Sequence, residues 1–237
     1  MSIHAPLPPP PTSLDAIVAQ AGGVCATRDR HTVVTSYGSP AGELAACVTA
    51  VGLADCSQLT KLLLDGPPAQ VRELTSRLAG AELAPGGLVS TGAAWWCAVS
   101  ARQTLVLCDP GCDNRVRAAI AAQAGRQPCV WVSDRTAGCA TLAVVGRRAR
   151  DVLAALGVYG PRGDPRAVPP VIGGAGDGGA ATWVLQTDDE AWAVLPRADA
   201  PALWHAIERA GQPFSLCAVG QDAIARYALI GRSTATR

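Results

Sequence analysis

The feature that most constrains the fold of this chain is a pattern at residues 51–74 that occurs again at residues 130–153. Each copy carries an aspartate, an apolar strand-like run, a glycine and a short helical segment, in that order. The spacing between the aspartate and the glycine is slightly longer in the second copy. Recurrence of one order of elements predicts an internal duplication.

The first copy shows the physical basis of the pattern. Leu59, Lys61 and Leu63 alternate with more polar neighbours, as in a half-buried strand. Gly66 permits a turn, and prolines follow it, which suits the start of a helix because the first helical residue needs no N–H donor. In the second copy the strand is predicted at residues 141–145.

Composition excludes several classes of function. The chain has 237 residues and a formal net charge of +1, so there is no electrostatic basis for binding nucleic acid or an anionic membrane. No stretch stays apolar for the roughly 18 residues that a membrane-spanning helix needs. The N-terminus carries no secretory signal, which predicts a cytoplasmic protein.

The nine cysteines lie mostly in apolar runs, which predicts reduced, buried thiols. Cys108 and Cys112 come nearest to a metal-binding signature, but no second pair accompanies them, so no metal is predicted. The glycine-rich run at residues 173–179 lacks the lysine and hydroxyl residue of a phosphate-binding loop, and we reject that interpretation.

Short helices alternate with hairpin-like strands along the chain, and no long βαβ series is present. This order favours an α+β fold built from duplicated antiparallel sheet-plus-helix units. We expect residues 1–13 to be a proline-rich flexible leader, residues 14–232 to form the folded domain and residues 233–237 to be a polar tail.

The sequence resembles the aminomethyltransferase (glycine-cleavage T-protein) superfamily, which has a tetrahydrofolate-binding fold. The first copy of the pattern matches the family's order in seven positions, namely Gly52, Leu53, Asp55, Ser57, Gly66, Pro67 and Ala69. Weaker matches follow at residues 187–195 and 219–223, so the resemblance covers roughly residues 35–230. It implies a duplicated folate-binding domain, tetrahydrofolate as cofactor and a role in one-carbon or amine metabolism.

The chain also departs from that family. No carboxylate lies between Glu82 and Asp109, where the family carries an acidic pair. Transfer of a one-carbon unit needs a group that steers protonation and developing charge, so full aminomethyltransferase chemistry is not expected. The chain is also expected to lack the family's C-terminal barrel domain. A small subunit of this fold, the gamma subunit of sarcosine oxidase, is similar in length.

The resemblance points to five candidate ligand-binding residues. The family's folate-holding glutamate aligns with Asp189, and the second family glutamate falls at Ala193. A carboxylate at Asp189 could accept the adjacent N–H donors of a pterin ring. The other candidates near the ligand are Tyr37, Asp55, Glu190 and Trp192.

All of these candidates except Tyr37 also have a purely structural interpretation, which the sequence leaves open. Residues 188–190 could be a solvated acidic turn, Trp192 could fill a hairpin core, and Asp55 could cap a turn. The alternative function is a non-catalytic subunit of a heteromeric amine oxidase, with flavoprotein or one-carbon enzyme subunits as partners. A third possibility, an enzyme that uses the Cys56 thiol, lacks a histidine nearby in sequence.

Overall fold

The computed structural model describes residues 13–125, 127–158, 169–173 and 181–235. Nearly all of the predicted leader and of the glycine-rich run lie outside these ranges. The helices are α1 Leu14–Gln20, α2 Pro40–Thr49, α3 Pro68–Ala79, α4 Asp113–Ala124, α5 Ala149–Ala155, α6 Ala200–Gly211 and α7 Gln221–Ala235.

The strands form three sheets. Their bounds are β1 Val24–Arg28, β2 His31–Ser36, β3 Val51–Asp55, β4 Thr60–Asp65, β5 Leu88–Ser90, β6 Trp95–Ser100, β7 Gln103–Cys108, β8 Trp131–Asp134, β9 Cys139–Val145, β10 Val171–Gly173, β11 Thr182–Thr187, β12 Glu190–Pro196 and β13 Leu216–Ala218. The six-stranded sheet has the order β10-β11-β12-β9-β3-β13, and the five-stranded sheet the order β5-β6-β7-β4-β8. Strands β1 and β2 form a separate hairpin.

The predicted α+β class and its duplication are confirmed. The two copies of the sequence pattern are β3–β4–α3 and β8–β9–α5. Each copy places one strand in each large sheet, because β3 pairs with β9 and β4 pairs with β8, both in antiparallel orientation. The two copies therefore interlock around an approximate twofold relation.

The glycine that ends each copy is required by this interlock. A Cβ atom on Gly66 would lie 2.6 Å from the carbonyl oxygen of Cys129, just before β8. A Cβ atom on Gly146 would lie 2.6 Å from the carbonyl oxygen of Cys47, at the end of α2 that leads into β3. In both copies the absence of a side chain lets the chain pass close to the backbone that enters the partner copy.

Three apolar clusters hold the layers together. One lies between the six-stranded sheet and helices α1, α5 and α6, and includes Trp183 and Trp204. A second lies between the two large sheets and includes Trp192. A third packs α3 and α4 on the far face of the five-stranded sheet. Large tryptophans thus replace the phenylalanines that are scarce in this sequence.

The sequence did not predict every strand, and β1, β10 and β13 are among those that were missed. The five residues of β1 are all exposed, so this strand shows no alternating pattern. Strand β13 has three residues and pairs in parallel with β3. A strand this short carries too little periodicity to be recognised, because its pairing is determined by distant parts of the chain.

Candidate functional site

The two copies contain the same aspartate turn. In the first copy the Asp55 carboxylate accepts a hydrogen bond of 2.8 Å from the Ser57 backbone N–H. In the second copy the Asp134 carboxylate accepts one of 2.8 Å from the Thr136 backbone N–H. The turn role that the sequence allowed for Asp55 is therefore present in both halves of the molecule.

The hydroxyl group in each turn ties it to the other copy. The Thr141 backbone N–H donates to the Ser57 hydroxyl oxygen at 3.1 Å. The Lys61 backbone N–H donates to the Thr136 hydroxyl oxygen at 3.0 Å. Lys61 and Thr141 consequently occupy equivalent positions, and both are fully buried.

Asp55 lies in a cleft, and this is where the two turns differ. The cleft has a volume of about 390 Å³ and runs between the Asp55 turn, α1 and the β1–β2 hairpin. Burial raises the pKa of Asp55 above its usual value, and the hydrogen bonds from Ser57 and the charge of Arg197 offset this effect only in part. No cation lies within 4.0 Å of its carboxylate among the described residues.

Asp134 has the opposite surroundings. Its side chain is 49% exposed and forms an ion pair of 2.7 Å with Arg117. Partial burial acts to raise the pKa of Asp134, but the hydrogen bonds from Thr136 and Arg117 outweigh it and hold the pKa below its usual value. This carboxylate is already paired with Arg117 and is about half exposed to solvent.

Two basic side chains border the Asp55 cleft. Arg197 follows β12 and donates through Nε to the carbonyl oxygen of Ala137 at 3.2 Å. His31 begins β2 on the opposite wall. The cleft therefore combines one partly buried acceptor carboxylate with two groups that can bind an anion at its border.

Tyr37 lies beneath this cleft. Its ring comes within 3.3 Å of a Cβ atom placed on Gly23, which lines the cleft. Its hydroxyl oxygen is buried and has no hydrogen-bond partner among the described residues. Burial raises the pKa of Tyr37, and the nearby Asp55 carboxylate raises it further. Tyr37 is thus a neutral donor without an acceptor, close to Asp55.

Asp189 lies apart from this group, in the turn between β11 and β12. Its carboxylate accepts a hydrogen bond of 3.2 Å from the Tyr227 hydroxyl group on α7. Burial and the Asp189 charge together raise the pKa of Tyr227 to about 12, so this tyrosine remains a donor. The predicted acidic turn is therefore partly engaged within the protein.

Glu190 and Trp192 lie between the two large sheets. The Trp192 indole N–H donates to the Glu190 carboxylate at 3.0 Å. The Trp192 ring meets Trp95 edge to face, with 4.7 Å between the ring centres. Burial raises the pKa of Glu190, and the indole hydrogen bond partly offsets this. Trp192 is 6% exposed, so its main role here is packing.

Four of the five candidate residues divide between the two faces of the six-stranded sheet, and Asp189 lies in the turn between β11 and β12. Tyr37 packs against the cluster beneath α1, α5 and α6, and Asp55 points to the same face as Leu53. Glu190 shares the opposite face with Trp192. The structure brings Asp55 and Tyr37 together, and separately Glu190 and Trp192. It does not join the five into one site.

The region around Ala193 is filled. Ala193 pairs with Trp183, and both are fully buried, as is Trp204 above them on α6. The indole N–H groups of Trp183 and Trp204 are buried without a hydrogen-bond partner among the described residues. The position of the second family glutamate therefore offers no room for a pterin.

Sequence reasoning did not identify Arg197 and His31 as site residues. Both are far from Asp55 along the chain, and only the packing of β12 and of the hairpin brings them to the cleft. A single arginine after a strand carries no distinguishing signal.

Within the described ranges, no three His, Cys, Asp or Glu side chains gather as a metal ion would require. No helix in the same ranges combines the length and apolar character needed to cross a bilayer.

No protein-family model and no curated protein sequence matches this chain. Among solved structures, the chain is similar to the glycine cleavage system aminomethyltransferase T from Bartonella henselae, with a TM-score of 0.68 and 16% identity. That similarity covers 89% of this chain and 59% of the aminomethyltransferase. It is also similar to a chain of the heterotetrameric sarcosine oxidase from Corynebacterium sp. U-96, with a TM-score of 0.57 and 17% identity. Here 75% of this chain and 93% of that chain are covered. The chain thus has the fold expected from the sequence.

Proposed function

We propose that this protein binds a reduced folate in the Asp55 cleft, as a binding module of tetrahydrofolate-linked one-carbon or amine metabolism. The observation that carries the proposal is a partly buried carboxylate, in a cleft of about 390 Å³, that has no cation partner among the described residues. Clefts of a few hundred Å³ are the usual size for a small-molecule ligand. The fold shared with an aminomethyltransferase supports the choice of folate.

The donors and acceptors of the cleft fit a folate. The 2-amino group and N3–H of a pterin are adjacent donors, and the two oxygens of the Asp55 carboxyl group can accept hydrogen bonds from them. Arg197 and His31 at the border suit the carboxylates of the folate's glutamate tail. The Tyr37 hydroxyl, buried without an acceptor, can donate to a carbonyl oxygen of the ligand or to water.

Binding without one-carbon transfer is the function that these residues support best. Strands β5, β6 and β7 carry no carboxylate, because none occurs between Glu82 and Asp109. When bound, a reduced folate would supply the one-carbon chemistry. The chain's own residues would hold and orient it, and Asp55 would keep the ring donors away from water.

Calorimetric titration with 5-formyltetrahydrofolate tests the proposal. Asp55→Asn should weaken binding by about tenfold or more, because a neutral amide replaces the charged acceptor. Asp134→Asn is the matched control, since it alters the equivalent turn outside the cleft, and it should leave the affinity unchanged. Absence of heat and of any thermal shift at millimolar ligand would refute the proposal.

The second candidate function is a non-catalytic subunit of a heteromeric amine oxidase. It is favoured by the similarity to a sarcosine oxidase chain, 93% of which is covered. Co-expression with a flavoprotein from a neighbouring gene, followed by sedimentation analysis, tests it. A stable complex of the two chains would support this role, and separate sedimentation at micromolar concentrations would argue against it.

A further inference from the structure

The five-stranded sheet ends in an open edge. Strand β8 is its last strand, and β4 is the one strand neighbour of β8 among the described residues. Trp131 is 75% exposed and Val132 is 43% exposed, although both belong to this strand. An exposed apolar strand edge presents unpaired backbone groups that can pair with another chain.

The internal duplication shows what can pair with such an edge. In the first copy the corresponding strand is β3, and its outer edge carries β13 in parallel orientation. The Val219 backbone N–H donates to the carbonyl oxygen of Leu53 at 2.9 Å on that side. Counting back from the turn aspartates, Leu53 corresponds to Val132 and Gly52 to Trp131. The edge covered in one copy is therefore exposed in the other.

The difference at Gly52 and Trp131 has a steric reason. A Cβ atom on Gly52 would lie 2.6 Å from Val219, directly after β13. The covering segment thus excludes any side chain at that position in the first copy. In the second copy a tryptophan stands there, and its large apolar surface is turned outward.

The surface beside β8 carries two positively charged side chains. A groove of about 820 Å³ runs along the edge and is lined by Leu63, Trp131, Arg102 and Arg135. Neither arginine has an ion-pair partner in the described part of the chain. The Asp65 carboxylate in the groove is engaged by the Gln103 side chain at 2.7 Å.

The apolar part of the groove continues a buried face. Leu63 pairs with Leu105, which is 6% exposed and packs between the two large sheets. Across β8 the same face carries Trp131 and Ser133. The cover provided by the six-stranded sheet thus ends before it reaches β8.

We propose that the β8 edge binds an extended, acidic segment of a partner protein as an added strand running parallel to β8. Its backbone pairs with residues 131–133, as β13 pairs with β3. An apolar side chain lies over Leu63 and Trp131, and acidic side chains pair with Arg102 and Arg135. The surface is separate from the Asp55 cleft, so this inference does not depend on folate binding.

The test uses two short synthetic peptides of alternating valine and threonine, one with glutamates at both ends and one with lysines. Amide NMR of the full chain should show shifts at residues 131–134 with the acidic peptide and none with the basic one. The double variant Arg102→Gln with Arg135→Gln should weaken acidic peptide binding by about tenfold. Trp131→Lys should also weaken it, because the apolar contact beside Leu63 is lost.

A control variant keeps the test interpretable. Val24→Lys places the same charge on the exposed edge of β1, where Val24 is 52% exposed, and should leave peptide binding and the folate affinity unchanged. The inference is overturned if neither peptide shifts the β8 amides at millimolar concentration, or if both peptides bind equally. It is also overturned if sedimentation shows a dimer that Trp131→Lys dissociates, since a second copy would then be the occupant.

Discussion

In the first repeat the turn aspartate, Asp55, lies in a cleft and has no cation partner in the described part of the chain, whereas its counterpart Asp134 is exposed and paired with Arg117. The turn geometry is the same, with a hydrogen bond of 2.8 Å to the residue two positions on. The difference arises from α1 and the β1–β2 hairpin, which cover only the first turn. The turn is therefore a structural element in both copies. Only the turn of the first copy is a candidate site, because α1 and the hairpin form a cleft over it.

A second difference lies at Lys61 and Thr141. The Lys61 ammonium group is fully buried and donates to the carbonyl oxygens of Ser57 and Leu59, at 2.9 and 2.7 Å. Thr141 is also fully buried, but its hydroxyl has no partner among the described residues. The lysine thus braces the turn that carries Asp55, and the second turn has no such brace. Four comparisons, from the largest expected effect to the smallest, test these differences.

Substitution of the glycine that ends each repeat should give the largest loss of stability. In Gly146→Ala the new Cβ would meet the backbone of Cys47 at 2.6 Å, at a residue with φ of +130°. We expect a loss of about 3 kcal/mol or more in the free energy of unfolding, because neither backbone can move without disturbing α2.

Gly66→Ala is the counterpart in the first repeat. Its clash is with the exposed chain at Cys129, which can shift, and its φ is not positive. A loss of about 1 to 2 kcal/mol is expected in urea unfolding. Equal losses for the two variants would contradict this prediction, because they would mean that the two glycines are equally constrained by the backbone they contact.

Lys61→Met should give the next largest effect, and one that depends on pH. The variant leaves the Ser57 and Leu59 carbonyl oxygens without their donor, which should cost about 2 kcal/mol. Burial lowers the pKa of Lys61 to about 8 from the model-compound value of 10.5. Between these values the unfolded chain binds more protons than the folded one, so wild-type stability rises with pH.

Unfolding measured from pH 7 to pH 10 should therefore show the gap between wild type and Lys61→Met widening above about pH 8. A gap that stays constant across this range would mean that the buried amine does not titrate there. Lys61→Arg is a poor control, because the larger guanidinium would not fit a fully buried position.

Thr141→Val should stabilise the protein slightly. The change removes a buried hydroxyl that has no partner among the described residues and keeps the side-chain volume. A gain of about 1 kcal/mol is expected in thermal unfolding. A loss would indicate that the hydroxyl is satisfied by bound water.

Replacing either turn aspartate with asparagine should change the pH dependence of the free energy of unfolding by a small amount, with opposite sign at the two positions. For Asp55 the folded-state pKa is raised, so wild-type stability relative to Asp55→Asn should fall as pH rises from about 4. For Asp134 the folded-state pKa is lowered, so its contribution is present above about pH 4 and is lost in acid. The Asp134 effect should stay below about 1 kcal/mol, because the pair with Arg117 is exposed. Acid unfolding of both variants measures this, and slopes of the same sign would contradict it.

Much of the fold could be predicted from sequence because its signals are local. The order of aspartate, strand, glycine and helix identified both repeats, and the strand predicted at residues 141–145 lies within β9 Cys139–Val145. Strand β13 could not be predicted, since three residues have no periodicity and their pairing is determined by β3.

The site was less predictable than the fold. Asp55 and Tyr37 could be proposed from the resemblance, and they do lie near each other. The contrast between Asp55 and Asp134 could not be foreseen, because burial depends on α1 and the hairpin, which are distant in sequence. The sheet also separates Asp55 from Glu190 through the alternation of side chains, a consequence of register that a motif does not show.

The central claim is that two equivalent turns hold aspartates in opposite electrostatic surroundings and that only the one covered by α1 and the β1–β2 hairpin meets a ligand. Carbon-13 NMR of the two carboxyl groups during a pH titration tests it directly, first alone and then with 5-formyltetrahydrofolate. The pKa of Asp55 should lie above the ordinary aspartate value of about 3.9 and that of Asp134 below it, with folate shifting the Asp55 resonance alone. The account is contradicted if both groups titrate at the ordinary value, or if folate shifts Asp134 as much as Asp55.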